Sequence, residues 1–295
     1  MLTMKKTLQV VSLLLGATIW GVAWYPYRIL EQHGIGGELS TTLTYFIALL
    51  IGLVLFHRQL CREAIFNVAI HYLIWIGLCA GWASMAYTLG IVHGEVMRVL
   101  LLFYLAPLWT ILFARLLLNE QLSIHGYFII LLSLAGAVLM LWQPGNRIPM
   151  PVSYGDWMGL TGGFMFALAN VLVRKDQLHS IQLKSLAVWT GATLIGVVIL
   201  MLKGDISIFP VYPVDEYIWL LLLGVGLLIF FLSVLLQFGF TYTPANQAII
   251  ILLFELVVAA LAAYFLTEEV VAFKDWMGGL MIVSASLFSS KINRS

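Results

Sequence analysis

Two ionisable residues stand inside long apolar runs, and their types define the chemistry open to them. Glu255 is surrounded by Leu252, Leu253, Leu256 and Val257, so its head group cannot easily snorkel to water. A carboxylate in such a place is costly and marks a functional position by default. Glu255 could be protonated and bonded between helices, bind a substrate ammonium, or carry a coupling proton. Arg98 stands about one turn inside another apolar run. Its planar guanidinium could clamp a carboxylate through two hydrogen bonds; otherwise it snorkels to the nearby surface or pairs with Glu95. Asn170, Asn246 and Gln247 also fall in apolar runs, where amides either join helices or touch a solute.

Reaction chemistry has little to work with. The chain contains no HExxH, GxSxG or P-loop pattern and no buried aspartate pair. Its six histidines are scattered, and His71 near the start of an apolar run reads as interfacial. Cys61 and Cys79 have no CxxC spacing, which points neither to a disulfide framework nor to a metal site. No charged ring or filter loop of the kind a channel needs is visible. The residues predict a non-enzymatic protein that works without a cofactor.

The elements that must position these groups follow from composition. The chain has 295 residues, of which 62% are hydrophobic and 10% charged, with a mean hydropathy of +1.01. A soluble domain carries about 25% charged residues, so lipid rather than water must surround most of this surface. At about 20 apolar residues per crossing, charged and Pro/Gly-marked breaks divide the chain into ten expected helices. These are roughly 8–27, 40–56, 69–91, 95–117, 125–142, 155–173, 185–202, 216–238, 245–265 and 274–289. Lys5 and Lys6 resemble the start of a signal peptide, but the run after them is too long and lacks a small-x-small site; it is expected to stay as the first helix. A net charge of +1 offers no field for nucleic acid.

Placing the N-terminus inside puts Lys5, Lys6, Arg58, Arg62, Arg115, Arg174, Lys175, Lys184, Lys291 and Arg294 in cytoplasmic segments. Only Arg28, Arg147, Lys203 and Lys274 fall outside. The bias obeys the positive-inside rule and predicts two cytoplasmic termini in a multi-pass protein of the cell inner membrane.

Internal similarity predicts a duplication, residues 1–148 and 149–295. Gly16–Arg28 aligns with Gly162–Arg174, Gly90 with Gly239, and Tyr104–Glu120 with Leu253–Glu269 at an offset of 149. Five helices per unit is an odd number, so the second unit must enter the membrane from the opposite side. The expected fold class is therefore all-α integral membrane, with ten transmembrane helices as two inverted five-helix repeats, an architecture transporters use to open a central site to each face in turn. On this register Asn246 and Gln247 repeat Met97 and Arg98, Asn170 repeats Trp24, and Glu255 repeats Ala106.

The chain resembles the EamA-like family of the drug/metabolite transporter superfamily over essentially its whole length. The resemblance rests on Trp20-Gly21, on Leu105-Ala106-Pro107 with Asn119-Glu120 after it, and on Glu268-Glu269. Glu120-Gln121-Leu122-Ser123 followed by Gly136, and Glu269 followed by Gly278 and Ala285, look like the two copies of the pattern that ends each family repeat. Ile129 departs from that pattern, as does Leu256 where the first copy has Pro107. The resemblance implies a solute carrier with a central cavity between the repeats. It also singles out Trp20, Trp24, Trp82, Tyr87 and Tyr104, in helices where the family lines its cavity. Aromatic rings there would favour an apolar or cationic solute, or simply pack the core.

These readings converge on a secondary transporter that exports small metabolites by alternating access, above all amino acids with hydrophobic or aromatic side chains. Arg98 and Glu255 would hold the carboxylate and the amine. The alternative is efflux of amphipathic or quaternary ammonium cations, for which a cavity guanidinium has little use. Partners are a small-molecule substrate, membrane lipid and, as an open possibility, a coupling proton; no nucleic acid is expected, and the assembly is a monomer or a homodimer.

Overall fold

A computed structural model describes residues 2–62, 69–94, 96–142, 151–203, 215–266 and 272–293. Glu95, Arg147, Glu268, Glu269 and Arg294, which carry expectations above, lie outside the described residues, as do the side chains of Lys5, Lys6, Cys61, Arg62 and Met97. The chain is helical: α1 Leu2–Gln32, α2 Gly37–Leu55, α3 His57–Arg62, α4 Ile70–His93, α5 Val96–Phe103, α6 Ala106–Leu118 and α7 Ile124–Leu141. After these come α8 Tyr154–Lys175, α9 Ile181–Lys203, α10 Glu216–Tyr242, α11 Ala245–Leu252, α12 Phe254–Leu266 and α13 Phe273–Leu287.

Among the described residues, nine helical segments are long and apolar enough to cross a membrane, counting the α5–α6 and α11–α12 stretches as one each. The segment expected as a tenth span forms α13, a helix of 15 residues that is not one of these nine and packs along α7. Large apolar side chains such as Leu116, Leu131, Leu220 and Phe265 stand exposed on the outside of the bundle, as a lipid-facing surface requires.

Two helices expected to be continuous are broken. The fourth expected span divides between Phe103 and Ala106, and the ninth at Leu253. Pro107, in the first turn of α6, explains the first break, because its ring has no N–H to give and crowds the carbonyl four residues back. Nothing in the local sequence explains the second in this way, since Leu256 takes the place of Pro107. Pro26, by contrast, sits inside an unbroken α1, whose remaining bonds carry the helix past it.

Small residues set how closely the helices approach. Gly77 and Gly81 of α4 lie against the backbone of Gly191 on α9, and a Cβ on Gly81 would stand 2.5 Å from the Gly191 carbonyl carbon. Helices in lipid associate through such close contact rather than through the hydrophobic effect. Gly191→Leu is expected to cost more than the about 1–3 kcal/mol of ordinary overpacking, because backbone rather than a flexible side chain is in the way. Loss of the monodisperse peak on size-exclusion chromatography, with wild-type behaviour for a substitution at the open Gly224, would be the readout.

Candidate functional site

The two helix breaks meet. Each short leading helix, α5 and α11, has 8 residues, or about 12 Å of rise, and the two begin at opposite ends of the bundle. One end carries the Arg98 and Asp156 pair together with Lys203 and Glu38; the other carries the contacts of Glu120 with Asn246 and Asn293. Both breaks therefore fall near mid-depth. The starts of α5 and α11, and likewise the ends, are 149 residues apart.

Tyr104, at the first break, donates its hydroxyl hydrogen bond to Oε1 of Glu255, in the first turn of α12 beyond the second. Glu255 is buried, with 9% of its surface exposed. Phe103, Tyr104 and Pro107 from one break, Leu252, Leu253 and Glu255 from the other, and Phe166 from α8 enclose a cavity of about 10 Å³, room for about one water. Tyr87 of α4 stands edge-on to Phe103, ring centroids 5.2 Å apart, within electrostatic reach of Glu255. Gly21 of α1 lies so close that a Cβ would be 2.7 Å from the Glu255 carbonyl oxygen.

Arg98 is elsewhere and already occupied. Its Nη2 meets Oδ2 of Asp156 at 2.8 Å and its Nε meets Oδ1 at 3.3 Å. Asp156 is almost wholly buried and also accepts from the backbone N–H groups of Val152 and Ser153 as part of a capping box. The guanidinium thus ties α5 to the start of α8, where a carboxylate also suits the helix dipole. Asp156 is a partner that sequence reasoning missed; the expected pairing with Glu95 lies outside the described residues. The capping-box spacing of Ser153 and Asp156 was the available signal.

The other expected residues are distributed through the bundle. Trp82 donates to Thr161 on α8 at 3.3 Å, Trp24 packs edge-on against Tyr25, and Trp20 packs on the main core. Asn246 and Gln247 lie at the end of the bundle away from Arg98. There Asn246 bonds Glu120 and Asn293, and Gln247 bonds Ser289. Glu120 also accepts from the backbone N–H of Ala245 and of Asn246, so it caps α11. Lys184, expected in a cytoplasmic segment, is fully buried and donates to the carbonyls of Val173 and Asp176 and to Thr241.

Asn170 is buried, and its Nδ2 has no hydrogen-bond partner among the described residues. It sits four residues from Phe166 and four from Arg174, on one face of α8. Arg174 in turn lines an open pocket of about 410 Å³ with Asn119, Glu120, Gln121, Pro244 and Asn293.

Paired broken helices converging on a mid-depth carboxylate are an arrangement transporters use, and the comparisons agree. The EamA-like transporter family matches residues 7–142 and 153–291. The chain belongs to the EamA-like transporter family. EamA-like proteins fall within the drug/metabolite transporter superfamily, and the family is one of transporters rather than enzymes. A relative from Archaeoglobus fulgidus, described as an uncharacterized transporter, is 25% identical over 207 residues, covering 69% of this chain and 70% of its own. A solved crystal structure aligns with a TM-score of 0.74 over 96% of this chain and 97% of its own at 15% identity, a likeness of fold alone.

Proposed function

We propose that this EamA-like chain is a secondary transporter that exports small metabolites by alternating access, with amino acids of hydrophobic or aromatic side chain as substrates. The observation that carries the reading is the meeting of both helix breaks at Glu255 and Tyr104. Glu255 takes the substrate amine, or the proton that couples its movement, and Tyr87, Phe103 and Phe166 supply a ring-lined wall. The cavity in this conformation is too small for an amino acid, so the bundles that hold the breaks must separate for loading.

The two bundles are the inverted repeats 1–148 and 149–295. Support comes from the common spacing of the breaks and from the two segments that match the family. The basic-residue bias supports two cytoplasmic termini in the inner membrane.

A second reading, efflux of amphipathic or quaternary ammonium cations, is favoured by one observation: Arg98 is held in a bidentate pair with Asp156 and so is not set out as a carboxylate clamp. Proteoliposomes loaded with labelled phenylalanine, or with a labelled quaternary ammonium compound, separate the two. Phenylalanine efflux that accelerates with an opposing pH gradient is expected. Flux of the cation alone would replace the first reading by the second, and flux of neither would remove both.

A further inference from the structure

The open pocket at the Glu120 end of the bundle is larger than the cavity at Glu255, and its charges are unevenly satisfied. Glu120 accepts from the N–H groups of Ala245 and Asn246 and from the side-chain amides of Asn246 and Asn293, so its charge is met by donors. Arg174 donates from Nη1 to the Thr241 carbonyl at 2.7 Å. Among the described residues no carboxylate lies within ion-pair distance of it. A guanidinium has five donors in a planar fork, and Arg174 lines a space that can hold a small solute.

The pocket and the inner site also lie along the same helix, α8. Phe166 lines the cavity at Glu255 and Arg174 lines the open pocket. Asn170, buried with an unpartnered Nδ2, stands one turn from each. The two ends of this stripe are eight residues apart, about 12 Å along the helix. An amino acid cannot span that distance, so it would occupy the two places in turn.

We propose that the pocket lined by Arg174, Asn119, Gln121 and Asn293 is a loading site that recognises the carboxylate of a zwitterionic solute before it moves along α8 to Glu255. The proposal rests on the transporter reading above and deepens it. It assigns the carboxylate to Arg174, since Arg98 is engaged by Asp156. Asn170 is then the hydrogen-bonding station between the two sites.

The test is calorimetric binding to the full chain in lipid nanodiscs, with phenylalanine and with phenethylamine, which keeps the ring and amine but lacks the carboxylate. Wild type is expected to bind phenylalanine at least about tenfold more tightly, the effect of one charge-assisted contact. Arg174→Gln is expected to remove that difference while leaving phenethylamine affinity unchanged. Because this substitution also removes the bond to Thr241, melting temperature is followed alongside. Arg174→Lys keeps a donor and a charge but loses the fork; it is expected to fold as wild type does and to weaken phenylalanine several-fold. Equal binding of the two ligands by wild type, binding of neither, or wild-type phenylalanine affinity in the folded variants would each overturn the proposal. Glu255→Gln separates the two readings: it should keep phenylalanine binding at Arg174 while losing transport. Undiminished flux in that variant would sink the role of Glu255 and leave the loading site standing.

Discussion

Glu255→Gln protein, reconstituted at wild-type density, is expected to export phenylalanine at no more than about a tenth to a hundredth of the wild-type rate. A hydrogen bond to a charged group contributes about 1.5–3 kcal/mol, which corresponds to about 10- to 150-fold. The amide keeps the volume and polarity of the carboxyl group, and the close approach of Gly21 is to the Glu255 backbone, which the substitution leaves in place. What it removes is the ability to bind a proton or attract an ammonium. Tyr104→Phe is the companion variant. It deletes the hydroxyl that Glu255 accepts from but leaves the carboxylate, and so should lower flux less. Transport in proteoliposomes, corrected for protein orientation and amount, checks both. Equal rates for wild type and Glu255→Gln would mean that this carboxylate only joins two helices.

The largest effect on stability is expected from the pair that fixes α5 to α8. Asp156→Asn takes from the largely buried Arg98 guanidinium the carboxylate it holds through two nitrogens, and breaking a buried ion pair by removing one partner costs about 3–5 kcal/mol. Asp156 additionally accepts two backbone N–H groups at the start of its helix, so Asp156→Asn should be worse than Arg98→Leu. The double variant, Arg98→Leu with Asp156→Asn, removes both charges of this pair. Much of the lost stability should return, as when buried pairs are replaced by apolar groups of similar volume. Melting of detergent-solubilised protein, followed by size-exclusion chromatography, measures all four proteins. The same series also reports on transport. If Arg98 only positions α5, the folded double variant exports phenylalanine near the wild-type rate; if it holds the substrate carboxylate, flux is lost even where folding is restored.

Much of the architecture was legible before any coordinates, and the reasons are local. Hydropathy adds along a single run, so the apolar runs located the helices and charged or Pro/Gly breaks bounded them. Glu255 stood out because a carboxylate among leucines and valines is costly wherever the helix turns. The basic-residue bias and the 149-residue offset between Tyr104 and Leu253 came from the same one-dimensional record. Pro107 marked a weak point in its helix, although the complete break at Leu253, with no proline, did not show.

Pairings across helices were another matter. These helices are apolar on nearly every side, because lipid covers whatever the core does not, so the sequence carries little sign of which face turns inward. That Asp156 meets Arg98 depended on how α8 lies against α5. Asn246 and Gln247 could be placed in a helix but not assigned to the Glu120 end of the bundle and away from Glu255. Asn170 could be placed in a helix but not one turn from both Phe166 at the inner cavity and Arg174 at the open pocket.

By itself the sequence determined a polytopic helical transporter-family protein with one costly carboxylate at mid-membrane. Only the tertiary structure decided that Tyr104, 151 residues away in the chain, meets that carboxylate, and that Arg98 is closed off while Arg174 lines an open pocket. The physical reason is that burial cost belongs to a residue and its immediate neighbours, whereas a hydrogen bond between helices depends on their rotation and approach, which small residues such as Gly21 and Gly191 set through packing.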